Sequence, residues 1–298
     1  MVRPAEETPK GSLWLSRLDM MIRAPYSHSD VVAVYSPKEN KMGHKVFDAK
    51  LLKESLSKVL VPFYPIAGKL KMNDENGRFK IDCNAAGALF VDVETTHTLA
   101  DLGAGFRKVR FPTTREFMFN FNKLYINNIK LQATLQPQKA QTYNLSTYEV
   151  LAGQVWRTTC KARGLTGDQD VKLYIHIDGR SRLKGPTLPQ GYFGNVIFFT
   201  ACIAKARDIT CNPVWYSASK IHEALMKVQS TEYLRSAIDY LESQSDLDSI
   251  VRGAPHVTCP NLMINSWAKL PTDLADFGWG KPNLVAHGGI INEGQRFL

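Results

Sequence analysis

Two histidines lie four residues before an aspartate, a spacing that could support acid–base chemistry. The pairs are His44 with Asp48 and His97 with Asp101. An imidazole whose pKa is near neutrality can take a proton from a substrate hydroxyl within hydrogen-bond reach. However, neither aspartate is followed by glycine, Asp48 stands where it would cap a helix, and His97 falls in a polar loop. We expect surface positions for both histidines and keep only His97 as a candidate base.

The five cysteines are in no arrangement that predicts a disulfide framework or a zinc site. Their number is odd, and no two form a C-x-x-C pair. We therefore expect buried free thiols in a reducing compartment and no bound metal. The positions are Cys83, Cys160, Cys202, Cys211 and Cys259.

The net charge of this 298-residue chain is +9, from 37 basic and 28 acidic side chains. A basic balance can indicate an anionic partner. The basic residues are scattered, with no run of five or more and no nucleic-acid-binding motif. We therefore expect no nucleic-acid partner. The anionic coenzyme A would suit this charge, and a solvated basic surface explains most of the lysines equally well.

No part of the sequence has the pattern of a signal peptide or a spanning helix. The amino terminus lacks a continuous apolar core, and no segment approaches 18 uninterrupted apolar residues. The sequence therefore predicts a cytoplasmic protein with no membrane span.

Apolar periodicity predicts strands that alternate with helices, the pattern of a layered α/β fold. Asp48 and Ser146 stand where they would cap the helices that follow. Helices are predicted at 49–60, 146–164, 212–228 and 230–243, and strands at 31–35, 78–83, 87–93, 171–179, 191–203 and 260–267. We also expect a loop at 96–106, an apolar helix after the capping-box spacing at 113–116, and a polar linker at 127–144.

Several sequence blocks follow one another in the order of a known family. They are LVPFYPIAGKL at 60–70, STYEVLAGQVWR at 146–157, IDGRSRL at 177–183, GYFGNV at 191–196, VWYSASKIHEAL at 214–225 and DFGWG at 276–280, followed by LVAH and GGI. Together they resemble the plant BAHD acyltransferases, which move an acyl group from coenzyme A to an alcohol or amine. The resemblance is to the shikimate or quinate hydroxycinnamoyltransferase branch, and it covers residues 1–105 and 107–298 in two pieces.

The resemblance implies a two-domain α/β fold of the chloramphenicol-acetyltransferase type, with mixed sheets and flanking helices. Donor and acceptor would meet in a channel between the domains. We expect residues 1–105 to be the remnant of an incomplete first domain and 106–145 a junction helix and linker. Residues 146–298 would form the second domain, without its last strands.

The resemblance is interrupted where the family keeps its catalytic base. There, a long stretch between the loop equivalent to 101–103 and the helix opened by 114–116 holds core strands and the motif His-x-x-x-Asp-Gly. The histidine of that motif removes the proton of the acceptor hydroxyl. Here the two ends are nearly adjacent, and none of the seven histidines begins the motif. The sequence therefore predicts an internal deletion, as a splice variant, a deleted pseudogene product or an imperfect gene model would give.

Two residues match acceptor contacts of the family. Arg252 matches an arginine that is aimed at the acceptor carboxylate, which a guanidinium can bind through two parallel hydrogen bonds. Asn265 stands where the branch commonly has threonine, and its amide can both donate and accept. Val31 and Ala33 replace a serine and a tyrosine that commonly face the acceptor. The identity of the acceptor therefore stays open among shikimate, quinate and similar acids.

The resemblance also implies a donor-side channel wall and two structural motifs. Ser146 would either contact the coenzyme or only cap its helix. Asp178 and Arg180 would form a buried ion pair, and the glycines of DFGWG would make a tight turn around a packed tryptophan. The wall residues are Tyr192, Phe193, Gly194 and Asn195, and the DFGWG residues are Asp276, Phe277, Gly278, Trp279 and Gly280.

These features predict an acyl-CoA-dependent acyltransferase by family, one that transfers a hydroxycinnamoyl group to shikimate, quinate or a similar acid. Acyl-CoA would be a co-substrate, and no cofactor would be bound. Without its histidine this chain would be inactive, and unpaired sheet edges would make it self-associate although the family is monomeric. Two alternatives stay open: a non-catalytic binding or regulatory paralogue and, supported by charge alone, a nucleic-acid binder.

Overall fold

The computed structural model describes ten segments of the chain. They are residues 1–21, 31–35, 47–73, 76–96, 121–134, 144–189, 191–247, 250, 258–287 and 295–297. Four sites that the sequence singled out lie outside these segments: His44, the pair His97 and Asp101, the predicted capping box at 113–116, and Arg252.

Short strands and helices alternate along the described segments. In chain order they are β1 (Ser12–Trp14), α1 (Arg17–Met20), β2 (Val31–Val34), α2 (Ala49–Val59), β3 (Lys69–Met72), β4 (Phe79–Asp82), α3 (Lys123–Thr134), α4 (Thr147–Ala162), β5 (Asp170–Asp178), β6 (Ile197–Lys205), α5 (Ala206–Cys211), α6 (Val214–Lys227), α7 (Thr231–Ser243), β7 (Leu262–Asn265), β8 (Leu284–His287) and β9 (Gln295–Phe297). Two 3₁₀ turns complete them, Tyr64–Ala67 and Thr272–Leu274.

The chain divides into two compact units whose boundaries differ from the predicted domains. The amino-terminal unit comprises Met1–Gly103 and Pro271–His287, and the carboxyl-terminal unit comprises Ala104–Leu270 and Gly288–Leu298. The sequence analysis places all of 146–298 in the second domain. The segment Pro271–His287 groups with the first because its strand β8 pairs antiparallel with β2.

The amino-terminal unit contains two antiparallel sheets among its described residues. One has the order β1–β4–β3, and the other is the pair β2–β8. Helix α2 begins where the sequence predicted, because the Asp48 carboxylate accepts the backbone N–H of Lys50 at 2.8 Å.

The DFGWG segment forms a compact turn in the amino-terminal unit. The Asp276 carboxylate accepts the backbone N–H groups of Gly278 and Gly280, each at 2.8 Å. Both glycines have positive φ angles, 88° and 86°, a region that other residues rarely adopt. The Trp279 ring packs against Tyr35, with 5.3 Å between the ring centroids. Asp276 and the glycines therefore shape the turn, and its aromatic rings pack against Tyr35, the residue after β2.

The described residues of the carboxyl-terminal unit form a mixed sheet of order β6–β5–β7–β9. Strands β5 and β6 are antiparallel, whereas β7 runs parallel to both β5 and β9. Side chains on β5 alternate as predicted: Val171, Leu173, Ile175 and Ile177 are buried. Lys172, Tyr174 and His176 occupy the opposite face of the strand.

Helices α3, α4 and α6 pack together in the carboxyl-terminal unit. Their shared core contains Ile129, Ala133, Val150, Val214 and Ala218. Gly153 on α4 allows a close approach to α6, because a Cβ there would stand 2.8 Å from the backbone nitrogen of Ala218. Trp156, also on α4, is fully buried.

Helix α3 occupies part of the stretch predicted to be a polar linker. The prediction was wrong for residues up to Thr134. It relied on the polar composition of the stretch and overlooked two apolar residues that are buried against other helices. Ile129 and Ala133 are spaced one helical turn apart and are both buried in the shared core. Asn122 also caps the helix, since its side chain accepts the N–H of Tyr125 at 2.8 Å.

The strand predicted at 87–93 is absent from the described residues. Alternation of Leu89, Val91 and Val93 suggested a buried face, yet all three side chains are exposed. The one strand-type pairing described for this segment is an isolated bridge between Val2 and Ala88. A strand needs a paired neighbour as well as a pattern, and the pattern alone could not supply one.

The five cysteines are free, as predicted. Cys83, Cys160 and Cys202 are buried, whereas Cys211 and Cys259 are exposed, which corrects the expectation that all would be buried. Burial raises the pKa of Cys160 to about 11 and that of Cys202 to about 12, so both remain protonated thiols at neutral pH.

None of the helices in the described part of the chain combines the length and the apolar character that a membrane span requires.

Candidate functional site

Most of the predicted site residues that the structure describes lie at one end of the sheet in the carboxyl-terminal unit. Because β5 and β7 are parallel, their carboxyl ends meet at the same edge, where β5 ends at Asp178 and β7 at Asn265. The first residue of β6, Ile197, pairs with Asp178, so the loop 191–196 arrives at this edge too.

Arg180 connects the turn after β5 to the loop before β6. Its Nη2 donates to the backbone carbonyl of Gly194 at 2.7 Å, and its Nη1 lies 3.1 Å from a carboxylate oxygen of Asp178. The side chains of Asp178 and Arg180 are 56% and 41% exposed, so the pair is not buried as the sequence analysis expected. Water screens such a pair, and we assign it to positioning the loop and not to stability.

Two glycines allow the backbone to pack closely at this edge. A Cβ on Gly194 would stand 2.8 Å from the ring of Tyr192. A Cβ on Gly179 would collide with the ring of Phe198. Gly179 of the IDGRSRL block and Gly194 of the GYFGNV block therefore occupy positions where a larger residue would clash with a neighbouring ring.

The predicted donor-side residues follow Gly191 in an exposed loop. Tyr192 and Phe193 present much of their rings to solvent, and the Asn195 side chain accepts the N–H of Ile197 at 2.9 Å. The last contact starts β6 at Ile197, later than the strand predicted at 191–203. A coenzyme contact of these residues stays a prediction.

Ser146 caps α4 at the same edge of the sheet. It forms a capping box with Glu149, in which the serine oxygen accepts the N–H of Glu149 and the carboxylate accepts the N–H of Ser146. The other carboxylate oxygen of the buried Glu149 lies 2.8 Å from Nδ1 of His222 on α6. The structure therefore assigns Ser146 a capping role, and its contact with a coenzyme stays a prediction.

Tyr148, two residues after Ser146, ties α4 to the carboxyl end of β7. Its hydroxyl donates to the backbone carbonyl of Ile264 at 3.3 Å. Burial raises the pKa of this phenol, so it stays a neutral donor over the physiological range. The helix start and the strand end that carries Asn265 are thus held together.

Asn265 contacts a residue that the sequence analysis missed. Its Oδ1 makes a short hydrogen-bonding contact with Nδ1 of His176 on β5. The imidazole also packs on Phe199 of β6, with 4.4 Å between the ring centroids. Burial lowers the pKa of His176, so the ring is neutral at pH 7. The alternation of β5 could have placed His176 on the face opposite Ile175, but only the register with β7 brings it to Asn265.

The remaining predicted sites belong to other parts of the chain. His97 and Arg252 lie outside the described residues. The DFGWG turn belongs to the amino-terminal unit. Among the described residues, no group of three or more histidine, cysteine, aspartate or glutamate side chains could hold a metal ion.

Comparison with known proteins defines the class of this chain. The model of the Transferase family matches residues 1–123 and 107–296. The chain therefore belongs to this family, the BAHD acyltransferases, as its motifs predicted. Enzymes of the family transfer acyl groups other than aminoacyl from a coenzyme A thioester, which serves as co-substrate.

Particular relatives include plant enzymes that act on different acceptors. The chain is 37% identical to a shikimate O-hydroxycinnamoyltransferase of Nicotiana tabacum, an alignment that covers 100% of this chain and 91% of the relative. It is 36% identical to an anthranilate N-benzoyltransferase of Dianthus caryophyllus, with the same two coverages.

Solved structures support the fold. Vinorine synthase matches with a TM-score of 0.67 at 17% identity, over 100% of this chain and 89% of that chain. TRI101 of F. sporotrichioides, solved with coenzyme A and T-2, matches with a TM-score of 0.52 at 20% identity, over 59% of this chain and 41% of that chain. The predicted mixed α/β BAHD architecture is therefore confirmed.

The alignments also locate the missing segment. The tobacco alignment spans 406 positions against 298 residues here, so at least 108 of them (406 minus 298) hold no residue of this chain. The two family matches overlap at 107–123, in the region where the sequence predicted the deletion.

Proposed function

We propose that this chain is a hydroxycinnamoyl-CoA-dependent acyltransferase by descent, one that retains an acceptor site for shikimate, quinate or a similar hydroxy acid and has lost transfer. The observation that carries the proposal is an assembled edge of the sheet, with Asn265 at its centre, in a chain without His-x-x-x-Asp-Gly. A cytoplasmic location and a place in phenylpropanoid chemistry belong to the same proposal.

The reaction of the family requires a base at the acceptor hydroxyl. The base removes the hydroxyl proton, the oxygen attacks the thioester carbonyl carbon, and the carbon–sulfur bond breaks to release coenzyme A as thiolate. A positioned base contributes roughly 10²–10⁴-fold to such a rate. None of the seven histidines of this chain stands in the motif that supplies the base. We therefore expect transfer at background.

Acceptor recognition does not depend on that base. The contact with His176 holds Asn265 at the carboxyl end of β7. There the Asn265 amide can form a hydrogen bond with a hydroxyl of the acceptor. Arg252 lies in the chain segment between α7 and β7. We propose that it forms a bidentate pair with the acceptor carboxylate. One charge-assisted pair contributes roughly 1.5–3 kcal/mol, which alone corresponds to no better than about millimolar affinity.

A non-catalytic binding or regulatory role is the second candidate. The same two features favour it, because an acceptor site without a base can bind and cannot turn over. Both candidates predict transfer at background and require that the acceptor binds, and they differ in whether that binding itself serves a role.

An NMR titration tests acceptor binding. Shikimate or quinate added to the ¹⁵N-labelled chain should shift amide signals at 262–265 and 178–180 with about millimolar affinity. Arg252→Met should weaken binding by about tenfold or more, while Arg163→Met, whose guanidinium donates to the carbonyl of Asn261 at 2.8 Å, serves as a matched control. Equal binding by the wild-type chain and Arg252→Met would remove the arginine from the acceptor site. An absence of any shift would contradict the proposed function.

A further inference from the structure

We propose that His176 is a specificity-determining residue of the acceptor site, where its Nε2 accepts a hydrogen bond from a hydroxyl or amine group of the acceptor. The inference rests on the proposed function, and it adds a residue that no motif of the sequence indicated.

Three strands fix the position of the imidazole. On β5, His176 follows Ile175, which pairs with Ile264 on the parallel strand β7, so the next residues on the two strands, His176 and Asn265, are neighbours. On the other side, Phe199 of β6 is paired with His176, and the two rings are in contact. A ring held from both sides has little freedom to turn, which suits a residue that reads one group of a ligand.

The contact with Asn265 determines which ring nitrogen is left to bind. The Oδ1 of an amide only accepts hydrogen bonds, so Nδ1 of His176 must carry the proton that it donates. In a neutral imidazole the other nitrogen, Nε2, then holds a lone pair and is an acceptor. Burial lowers the pKa of His176 and so favours this neutral form over an imidazolium with two donors. Among the described residues, no side chain is hydrogen-bonded to Nε2 of His176.

The face of the sheet that carries His176 is partly exposed to solvent, whereas the opposite face is buried. Ile175 and Ile177, on the other side of the strand, are buried. On the histidine face, Phe199 is 43% exposed and Ile203 is 57% exposed. A polar pair on a partly open apolar surface, beside the loop of Arg180 and Gly194, provides one oriented acceptor next to apolar area, as small-molecule sites do.

The chemistry of Nε2 defines the class of group that it binds. A lone pair attracts an O–H or N–H donor and repels a carboxylate. The residue therefore recognises the hydroxyl or amine of a hydroxy or amino acid, and the carboxylate of the same ligand must be bound elsewhere. A carboxylic acid of similar size without a hydroxyl would gain nothing from His176.

Histidine-detected NMR on the full chain tests the inference. With ¹⁵N-labelled histidine, His176 should show the tautomer protonated at Nδ1, and shikimate should shift its Nε2 signal. Cyclohexanecarboxylate, which lacks the hydroxyls, should leave that signal in place. His222, whose Nδ1 contacts Glu149, provides a reference ring in the same spectrum.

A matched substitution gives the second measurement. His176→Phe keeps an aromatic ring against Phe199 and removes Nε2, so shikimate should bind about 3–10-fold more weakly, with cyclohexanecarboxylate binding unchanged. If this variant fails to fold, the response of the His176 ring ¹⁵N signals to shikimate in the wild-type chain tests the role of His176 on its own.

The outcomes separate the two levels of the proposal. Shikimate binding of equal strength in both proteins, an unmoved Nε2 signal, or protonation at Nε2 would overturn the role of His176 and leave the acceptor site in place. A wild-type chain that binds neither compound would overturn the proposed function and the role of His176 together.

Discussion

At the scale of residues, one partly buried imidazole, that of His176, makes the stability of the fold depend on pH. The pKa of His176 is lowered by burial, whereas the same residue in the unfolded chain titrates near pH 6.5. Between the folded and unfolded pKa values, the unfolded chain binds more protons, so the free energy of unfolding falls as the pH falls. Above the unfolded pKa both states are neutral, and His176 contributes no pH dependence.

We therefore expect His176→Phe to lose less stability on acidification than the wild-type chain. Urea unfolding from about pH 7.5 to pH 5 should show a difference in the free energy of unfolding that grows in favour of the variant below about pH 6.5. All other ionisable groups are present in both proteins and cancel in the difference. Parallel pH curves for the two proteins would show that the ring titrates normally in the folded state.

The residues of the site were only partly predictable. Asn265 could be found because it lies in a recognisable block, MINSW. His176 could not, because its neighbour Asn265 is 89 positions away and only strand pairing brings the two together. The exposure of the Asp178–Arg180 pair was also beyond the sequence, since spacing predicts that two side chains meet and not how much water surrounds them.

At the scale of elements, capping explains where the helices of the carboxyl-terminal unit begin. Ser146 and Glu149 cap α4 reciprocally, and Ser230 caps α7 through a single bond at 3.2 Å to the N–H of Tyr233. The Glu149 side chain is buried and also contacts His222, so the first cap is part of the packing between α4 and α6. The second cap is exposed and stands alone.

The two caps should therefore differ in their effect on stability. Ser146→Ala should lower the free energy of unfolding by about 1–2 kcal/mol, and Ser230→Ala by about 0.5–1 kcal/mol. Chemical denaturation monitored by circular dichroism measures both. Equal losses for the two substitutions would mean that the network through Glu149 adds nothing beyond an ordinary cap.

Elements with strong local signals were predicted, and elements that depend on a neighbour were not. Helices α2 and α4 have an acid or hydroxyl cap followed by periodic apolar residues, and both begin where the sequence indicated. Helix α3 was missed because its stability comes from two residues, Ile129 and Ala133, buried against other helices. The strand expected at 87–93 had the right alternation but, among the described residues, no partner strand.

At the scale of the whole molecule, apolar side chains on a small sheet predict self-association. Trp14 on β1 and Leu70 and Met72 on β3 are all more than half exposed, at 65%, 52% and 54%. These strands form the two edges of the sheet β1–β4–β3 within the described residues. Apolar surface beside open strand edges favours pairing with another chain.

We expect the purified chain to form dimers or larger species that increase with concentration. Light scattering coupled to size-exclusion chromatography should show this, and Leu70→Lys should shift the population toward monomer. Leu124→Lys, at an exposed leucine on α3, is the matched control and should have little effect. A monodisperse monomer at every concentration would contradict the expectation.

The family and the two-domain architecture were the most predictable features of the molecule, because DFGWG, GYFGNV and LVPFYPIAGKL occur together and in order. The unit boundaries were not. The return of Pro271–His287 to the amino-terminal unit depends on pairing between β2 and β8, which are separated by about 250 residues of chain. Sequence order alone places that segment with the residues that precede it.

Acyl transfer by the purified chain is the measurement that tests the central claim most directly. The chain is incubated with p-coumaroyl-CoA and shikimate, and the ester is quantified by mass spectrometry beside a reaction with the tobacco relative. Because the family base is missing, we predict that ester forms no faster than in the protein-free control. The rate should be lower than that of the tobacco enzyme by roughly 10²–10⁴-fold or more. Ester formation well above that control, abolished by His97→Ala or by His176→Phe, would contradict the account and identify a replacement base.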